Sequence, residues 1–363
     1  MRAGFAAVLT AVLIVAIGCG GDDAPVRRAT GASRVAPAPF FGVVSEDVLA
    51  GDSAYRARTL AQQRAAGVGL IRQTFHWDRI ERSPGRYDFR EYDAYMSAVS
   101  RAGIEVLPIL FTPPPFRARG GSARGTYPPD DPGAMGAFAA QLVRRYGPNG
   151  SFWSSNPGVP KHPIRAWQVW NEPNLPVYWP AGPDPAEYVR LLAAVSAAVK
   201  RIDPGAAIVS AGLSETSHGT PFDDFVRGMF NSGGDDALDI FALHAFAGDA
   251  PGSIAAAEHA RELLTDVGSE APIWITEIGW ASGGPASPFT VNPAQQAARV
   301  RAALSSFSRR RHELGLHGVI YFNWRDAPVY PGGQDFFGLH TGLLDIAGRP
   351  KPALGAYRSV SVR

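Results

Sequence analysis

The sequence predicts an α/β fold, a single (β/α)8 TIM barrel, on three observations. From Phe40 onward, short apolar runs rich in β-branched residues alternate with longer amphipathic stretches, the pattern of parallel βα units. Eight such runs occur, the number that closes a barrel. No break in composition marks a second domain. Of 363 residues, 45% are hydrophobic and 19% charged, which suits one large core.

In chain order, strands are expected at 41–45, 69–75, 104–111, 164–170, 207–211, 238–244, 273–276 and 318–322. The helices between them carry start and stop signals. Asp184-Pro185-Ala186-Glu187 sets an N-cap, a proline at N1 and a glutamate at N3. Tyr188, Leu191, Leu192, Val195, Val199 and Ile202 then form one helical stripe, and Pro204-Gly205 stops it before the fifth strand. Asn292-Pro293-Ala294-Gln295 opens the seventh helix in the same way.

Ahead of the barrel stands a targeting segment. Arg2 is followed by an apolar stretch from Phe5 to Ile17 that is too short to span a bilayer stably and ends in small residues. Ala16-Ile17-Gly18-Cys19, followed by Gly20-Gly21-Asp22-Asp23, resembles a bacterial lipobox, in which the cysteine takes a lipid and becomes the first mature residue. The expected organisation is a lipoprotein signal peptide over 1–18, lipidation at Cys19, a flexible Ala/Pro/Gly-rich tether over 19–39, and the catalytic barrel over 40–363. The protein is expected outside the cytoplasm, held on the bacterial membrane by that lipid. An ordinary secretory leader with an incidental cysteine is the alternative. Cys19 is the only cysteine, so no intramolecular disulfide forms.

Charge points away from nucleic acid. The chain has 35 basic and 33 acidic residues, and losing Arg2 with the leader leaves a net of +1. No basic run interleaves with aromatics, and Arg309-Arg310-Arg311 reads as the solvated face of a late helix. A neutral substrate and a monomer are expected.

Barrel enzymes place their chemistry at the C-terminal ends of the strands. The fourth strand ends in Trp167-Gln168-Val169-Trp170-Asn171-Glu172-Pro173-Asn174, and the seventh in Trp274-Ile275-Thr276-Glu277-Ile278-Gly279-Trp280. Each sets a glutamate among tryptophans, whose faces stack on sugars. Cleaving a glycosidic bond needs one carboxylic acid to protonate the leaving oxygen and one carboxylate to meet the anomeric carbon from the other face, and two glutamates on separate strands meet that need.

On these motifs the sequence resembles clan A of the glycoside hydrolases, the superfamily of the family 5 cellulases and mannanases and the family 39 xylosidases. The likeness spans most of 40–358. Trp77-Asp78-Arg79-Ile80-Glu81 with Pro84-Gly85-Arg86-Tyr87-Asp88-Phe89 is similar to the clan's second βα loop, and Trp324 to its sugar-platform tryptophan. The resemblance implies a retaining hydrolase of oligo- or polysaccharides, without cofactor or metal, with Glu172 as acid/base and Glu277 as nucleophile. It also implies that Asn171 bonds the sugar 2-hydroxyl and that Arg72 holds the nucleophile ionised. A drier site would keep Glu172 protonated. His76, Trp77, His244, Trp280 and Trp324 are the further expected substrate contacts, with a core or supporting role the alternative for His244 and His76. Leu243-His244-Ala245-Phe246 departs from the clan pattern, which often sets a nucleophile-contacting tyrosine two residues after the histidine; Tyr321 or Tyr330 is a candidate replacement.

Trp179, Tyr178, Tyr330, Phe336 and Phe337 fall in loops on the catalytic side, as does the stretch from Thr112-Pro113-Pro114-Pro115-Phe116 to Gly120-Gly121. The eight histidines form no metal-binding helical pair, and glycine motifs for phosphate or dinucleotides lack their strand-to-helix context. Two other readings share every residue named: a surface carbohydrate-binding barrel without turnover, and a transglycosylase.

Overall fold

A computed structural model describes residues 39–215, 218–330 and 332–362. The leader, Cys19 and the tether up to residue 38 lie outside the described residues. Among those described, nine strands form one parallel sheet: β1 (Phe41–Val44), β2 (Leu70–His76), β5 (Glu105–Phe111), β6 (Ala166–Val169), β7 (Ala207–Val209), β8 (Leu213–Ser214), β9 (Phe241–His244), β10 (Ile273–Ile278) and β11 (Leu316–Tyr321). Their order is β7-β6-β5-β2-β1-β11-β10-β9-β8, and the sheet is curled. A two-stranded hairpin, β3 (Glu81–Ser83) and β4 (Arg86–Tyr87), projects after β2 and turns at Pro84-Gly85, where Gly85 takes φ 73°.

All eight expected strands are present, with ends shifted by at most three residues. The count differs because the fifth strand, expected over 207–211, ends at Val209 and a further two-residue strand not expected from the sequence follows at Leu213–Ser214. β7 pairs with β6, the ladder stops at Ser210, and the chain resumes pairing as β8 against β9. A parallel bridge between Val209 and Ile240 ties β7 to the residue just before β9. The Tyr188 hydroxyl fills the break: it accepts from the Ala211 amide at 2.5 Å and donates to the Val169 carbonyl at 3.0 Å.

Strand alternation divides the core. Val44, Leu70, Leu107, Ala207, Val209, Ile240, Ala242, Trp274 and Ile320 pack inside the curl, and a larger cluster lies between the sheet and the helices. The stripe on the helix Pro185–Lys200 is buried from Tyr188 to Val199 as its spacing predicts, and its last member, Ile202, lies past the helix end and is half-buried. Its Asp184 cap accepts from the Glu187 amide, but the Glu187 carboxylate, expected to answer the N-cap, instead holds Arg119 and Trp179. Asn292 and Gln295 do form the full reciprocal box. None of the described helices is long and apolar enough to cross a membrane.

Candidate active site

The strand β6 runs into a backbone that ordinary residues avoid. Trp170 (φ 73°) and Glu172 (φ 40°) both adopt left-handed conformations, at a cost of roughly 1–3 kcal/mol each. The turn is held from several sides. Trp170 donates its indole N–H to the Tyr178 carbonyl at 2.9 Å and packs edge-on against Phe111 and Trp179. The Glu172 amide donates to the Gly212 carbonyl at 3.2 Å, and the fully buried Asn174 donates to the Ser214 carbonyl at 2.9 Å.

This turn brings Glu172 beside Glu277, which stands on β10 past an irregularity in its pairing with β9. Each glutamate side chain keeps 12% of its surface exposed. Arg72, 1% exposed on β2, points inward and uses its whole guanidinium: Nε donates to Gln168 Oε1 (2.7 Å), Nη1 to Glu277 Oε1 (2.5 Å) and Nη2 to Asn171 Oδ1 (3.0 Å). With its oxygen fixed by Arg72, the Asn171 amide is oriented with its N–H2 free of that contact. Gln168 in turn donates to the Ser210 carbonyl at the strand break, 3.1 Å away.

His244 ends β9 between the two glutamates. Its Nδ1 is 2.8 Å from Glu172 Oε1 and its Nε2 is 3.5 Å from Glu277 Oε1. The Ser214 hydroxyl donates to the same Glu172 oxygen. Burial pushes the Glu172 carboxyl up, but His244, Ser214 and Arg72 outweigh it and hold the group below its ordinary value. This corrects the expectation that dryness keeps Glu172 protonated. Both glutamates are equally dry, so their neighbours and not solvent access tell them apart. Tyr178 lies near enough to feel both carboxylates; burial, then their charges, raise its phenol, which stays protonated.

The remaining expected contacts divide. His76 ends β2 half-buried, its Nδ1 3.1 Å from the Thr112 hydroxyl, and burial lowers its pKa, so the ring is neutral near neutrality. His244, by contrast, is 1% exposed, which leaves it no face for a sugar. The three tryptophans are buried as well. Trp77 is fully buried, stacks on Phe138 and donates to Glu81 at 2.5 Å. Trp280 is 1% exposed and donates to the Ala247 carbonyl. Trp324 is fully buried in the outer cluster, whereas Phe322, two residues earlier, packs against the core inside the curl and stays half-exposed. Strand alternation sets this: from Ile320 inward, the next inward side chain is Phe322. Neither proposed tyrosine replaces the hydroxyl missing at Phe246. Tyr321 donates to the Thr341 carbonyl in the outer shell, and Tyr330 stands half-exposed on the rim, stacked with Phe336. Phe246 instead joins Phe289, Phe322 and Phe337 in an aromatic wall.

The loop after β5 borders this region and is strapped from both sides. Arg117 reaches the buried Glu81 at 2.8 Å, and Arg119 reaches Glu187. Ser214, Gln168 and Gly212 were not singled out by sequence; they sit around the strand break, which apolar patterning does not reveal. Among the described residues, no group of three or more His, Cys, Asp or Glu side chains is placed to hold a metal ion.

No family model and no curated protein matches the sequence. Solved structures do. A family 39 glycoside hydrolase from the gut symbiont Bacteroides cellulosilyticus WH2 superposes with a TM-score of 0.65 at 21% identity, over 88% of this chain and 63% of its own. A monomeric β-xylosidase from Caulobacter crescentus CB15 gives 0.61 at 18% identity, over 88% and 67%. An endo-β-1,4-mannanase from Thermotoga petrophila gives 0.61 at 13%, over 90% and 77%. The chain thus spans under two thirds of the first of these proteins. The curled parallel sheet and its surrounding helices have the fold of clan A glycoside hydrolases.

Proposed function

We propose that this chain is a retaining glycoside hydrolase in which Glu277 is the nucleophile and Glu172 the acid/base. The observation that carries the reading is the convergence of two nearly buried glutamates, from the ends of β6 and β10, on one imidazole and one guanidinium. In the first step a Glu277 oxygen bonds the anomeric carbon as the glycosidic C–O bond breaks, and Glu172, which its neighbours hold below its ordinary value and which must therefore first take up a proton, gives that proton to the leaving oxygen. In the second, water attacks the same carbon, Glu172 takes its proton, and the Glu277 carboxylate departs. Arg72 keeps Glu277 aimed, and turns the free Asn171 N–H2 toward the site where the sugar 2-hydroxyl would lie. We take the split β7–β8 strand and the Val209–Ile240 bridge as closing an eight-stranded barrel, with the catalytic carboxyls roughly 5 Å apart.

The sugar is neutral in this reading, because the charged side chains of the site are already paired with one another. The names of the similar structures make β-xylosides and β-mannosides the first to screen. Turnover of a panel of aryl glycosides and polysaccharides, followed by NMR of the product anomer, tests the proposal. Product of inverted configuration would sink the retaining mechanism, and no turnover of any member with tight sugar binding would favour a carbohydrate-binding role.

A further inference from the structure

At the mouth of the site one polar side chain has its hydrogen-bonding polarity fixed by its neighbours. Phe75 and Trp77 are fully buried and pack on Tyr146 and Phe138 of the helix Pro132–Tyr146, so His76 between them faces the inside of the curl, as Leu70 and Arg72 do. Its register partner on β5 is Phe111, which packs against Trp170 and Tyr178, and the Tyr178 phenol feels both glutamates. The backbone is pinned, because the His76 amide donates to the buried Tyr92 hydroxyl at 2.8 Å. Among the described residues the ring makes one hydrogen bond, between Nδ1 and the Thr112 hydroxyl at 3.1 Å, and none at Nε2.

The direction of that bond follows from the next one. Thr112 has a single hydroxyl proton, and it donates to the Asp78 carboxylate at 3.1 Å. A carboxylate has no proton to give in return. Turned the other way, the hydroxyl would set a lone pair against the carboxylate. Thr112 therefore accepts from His76, which puts the proton of a neutral ring on Nδ1. Burial lowers the His76 pKa against the pull of Glu46, Asp78 and Glu91, so the ring is neutral near neutrality and Nε2 is a bare lone pair. Thr112 is itself held at φ 55°, rare for a β-branched residue, and its carbonyl accepts from the Asp78 amide at 2.9 Å. Backbone and side chain thus clamp the two residues together.

We infer that His76 accepts a hydrogen bond from a sugar hydroxyl at Nε2, and that Asp78, acting through Thr112, is the positioning group that fixes its tautomer. The inference rests on the glycosidase function proposed above and adds a requirement on its substrate: at one position the sugar must present an O–H donor. A C–H or C–F at that carbon cannot donate, and a ring protonated at Nε2 would ask for an acceptor instead. The neighbouring polar groups on this wall are committed elsewhere. Thr74, one inward step below, gives both its amide and its hydroxyl to Glu46, and Gln73 gives its side-chain N–H to the same carboxylate. A site built to take a hydroxyl proton rejects the analogue without it, because its acceptor is then left unpaired.

Nitrogen NMR of the full chain with 15N-labelled histidine tests the tautomer without any turnover. His76→Ala identifies the ring's two signals among those of the eight histidines. Near neutrality Nδ1 should be the protonated, pyrrole-type nitrogen and Nε2 the pyridine-type one; the opposite assignment, or an imidazolium, overturns the inference. Thr112→Val removes the acceptor at nearly constant shape and should shift the proton toward Nε2. Wild-type signals in that variant would mean that Thr112 and Asp78 do not set the tautomer. Unchanged signals from the other histidines establish that each variant has folded. The second arm takes the aryl glycoside of the screen that is cleaved or bound and replaces each ring hydroxyl in turn by hydrogen and by fluorine. At one position the loss in kcat/KM or affinity for both analogues should be smaller by at least about tenfold in His76→Ala than in wild type, which pairs the residue with a single hydroxyl. Equal losses in the two proteins at every position overturn the sugar contact. The tautomer is read on the free protein and the contact on a sugar already shown to act, so either failure is distinct from finding no active glycoside, which falls on the glycosidase reading.

Discussion

Replacing Arg72 by methionine removes the charge and the fork at nearly constant volume. Arg72 is 1% exposed and Glu277 keeps 12% of its side-chain surface, so the pair is little screened by water. Removing one partner of such a pair costs about 3–5 kcal/mol. The lower end applies here, because Glu277 retains His244 at 3.5 Å and some solvent. The oxygen of the fully buried Gln168 would lose its donor, adding about 1 kcal/mol, whereas the half-exposed Asn171 can turn to water. The total, roughly 4 kcal/mol, lies within the stability of an ordinary domain, so the variant should fold and melt early in urea. Turnover should suffer more, since both the nucleophile and Asn171 lose their orientation: kcat/KM should fall at least about 10³-fold, near 4 kcal/mol of barrier. Arg72→Lys separates charge from geometry. One ammonium cannot reach Gln168, Glu277 and Asn171 together, so it should recover most of the stability and little of the activity. Urea titrations and initial rates on the three proteins suffice. A methionine variant within about 1 kcal/mol of wild type, or a lysine variant with full activity, would refute the argument.

Four further outcomes are expected. Glu277→Ala should abolish turnover on every substrate, with azide or formate giving product of inverted configuration. Glu172→Ala should keep the first step on aryl glycosides with good leaving groups, with azide restoring turnover at retained configuration; anomer-resolved NMR reads both, and swapped behaviour would exchange the two roles. A carboxyl held low in the folded protein contributes stability above its ordinary range, and the contribution is lost as pH falls through the lowered value. Glu172→Gln should therefore be less stable than wild type near neutrality and converge with it in acid, while a gap that widens in acid would contradict the cause assigned to the shift. Finally, we propose that Cys19 carries the lipid, so Cys19→Ala should release the protein from membranes; a mature protein without a diacylglyceryl group in mass spectrometry of its native host would end that proposal.

Much of this was legible in the sequence because apolar periodicity reports burial directly. The eight runs from Phe41 to Tyr321 became strands, and the caps at Asp184 and Asn292 formed where the Asx-Pro pattern placed them. Arg72 turns inward by strand alternation, whereas Glu172 is brought beside it by the left-handed turn after β6 and Glu277 by the irregularity in the β10 pairing; the motifs marked the two glutamates where periodicity did not. Side chains beyond a strand end were harder. Trp324 was expected as a sugar platform and Trp77 and Trp280 as substrate contacts, yet residue type does not say which way an indole turns once the ladder stops. All three turn toward the helices and are buried. For His244 the sequence left a sugar contact and a core role both open, and the structure encloses the ring with its Nδ1 against Glu172.

The split fifth strand was the least legible feature, and the site depends on it. A continuous strand over 207–214 would spend the amides and carbonyls of Ser210, Ala211 and Gly212 on ladder bonds. Broken, it offers the Ser210 carbonyl to Gln168 and the Gly212 carbonyl to Glu172, while its Ala211 amide takes Tyr188. Gly212 also clears the volume that His244 occupies, and Ser214, where pairing resumes, reaches the Glu172 carboxylate. Glycine at 212 is thus demanded by the approach of a neighbouring ring and not by its own backbone angle. Gly212→Ala should consequently act at a distance from its own size: the added methyl must push the imidazole off the Glu172 carboxylate. A loss of kcat of at least about tenfold is expected, since the acid/base loses the group that orients it. An alanine variant with wild-type kinetics would mean that the ring has room to spare, and that the break in the strand serves the fold alone.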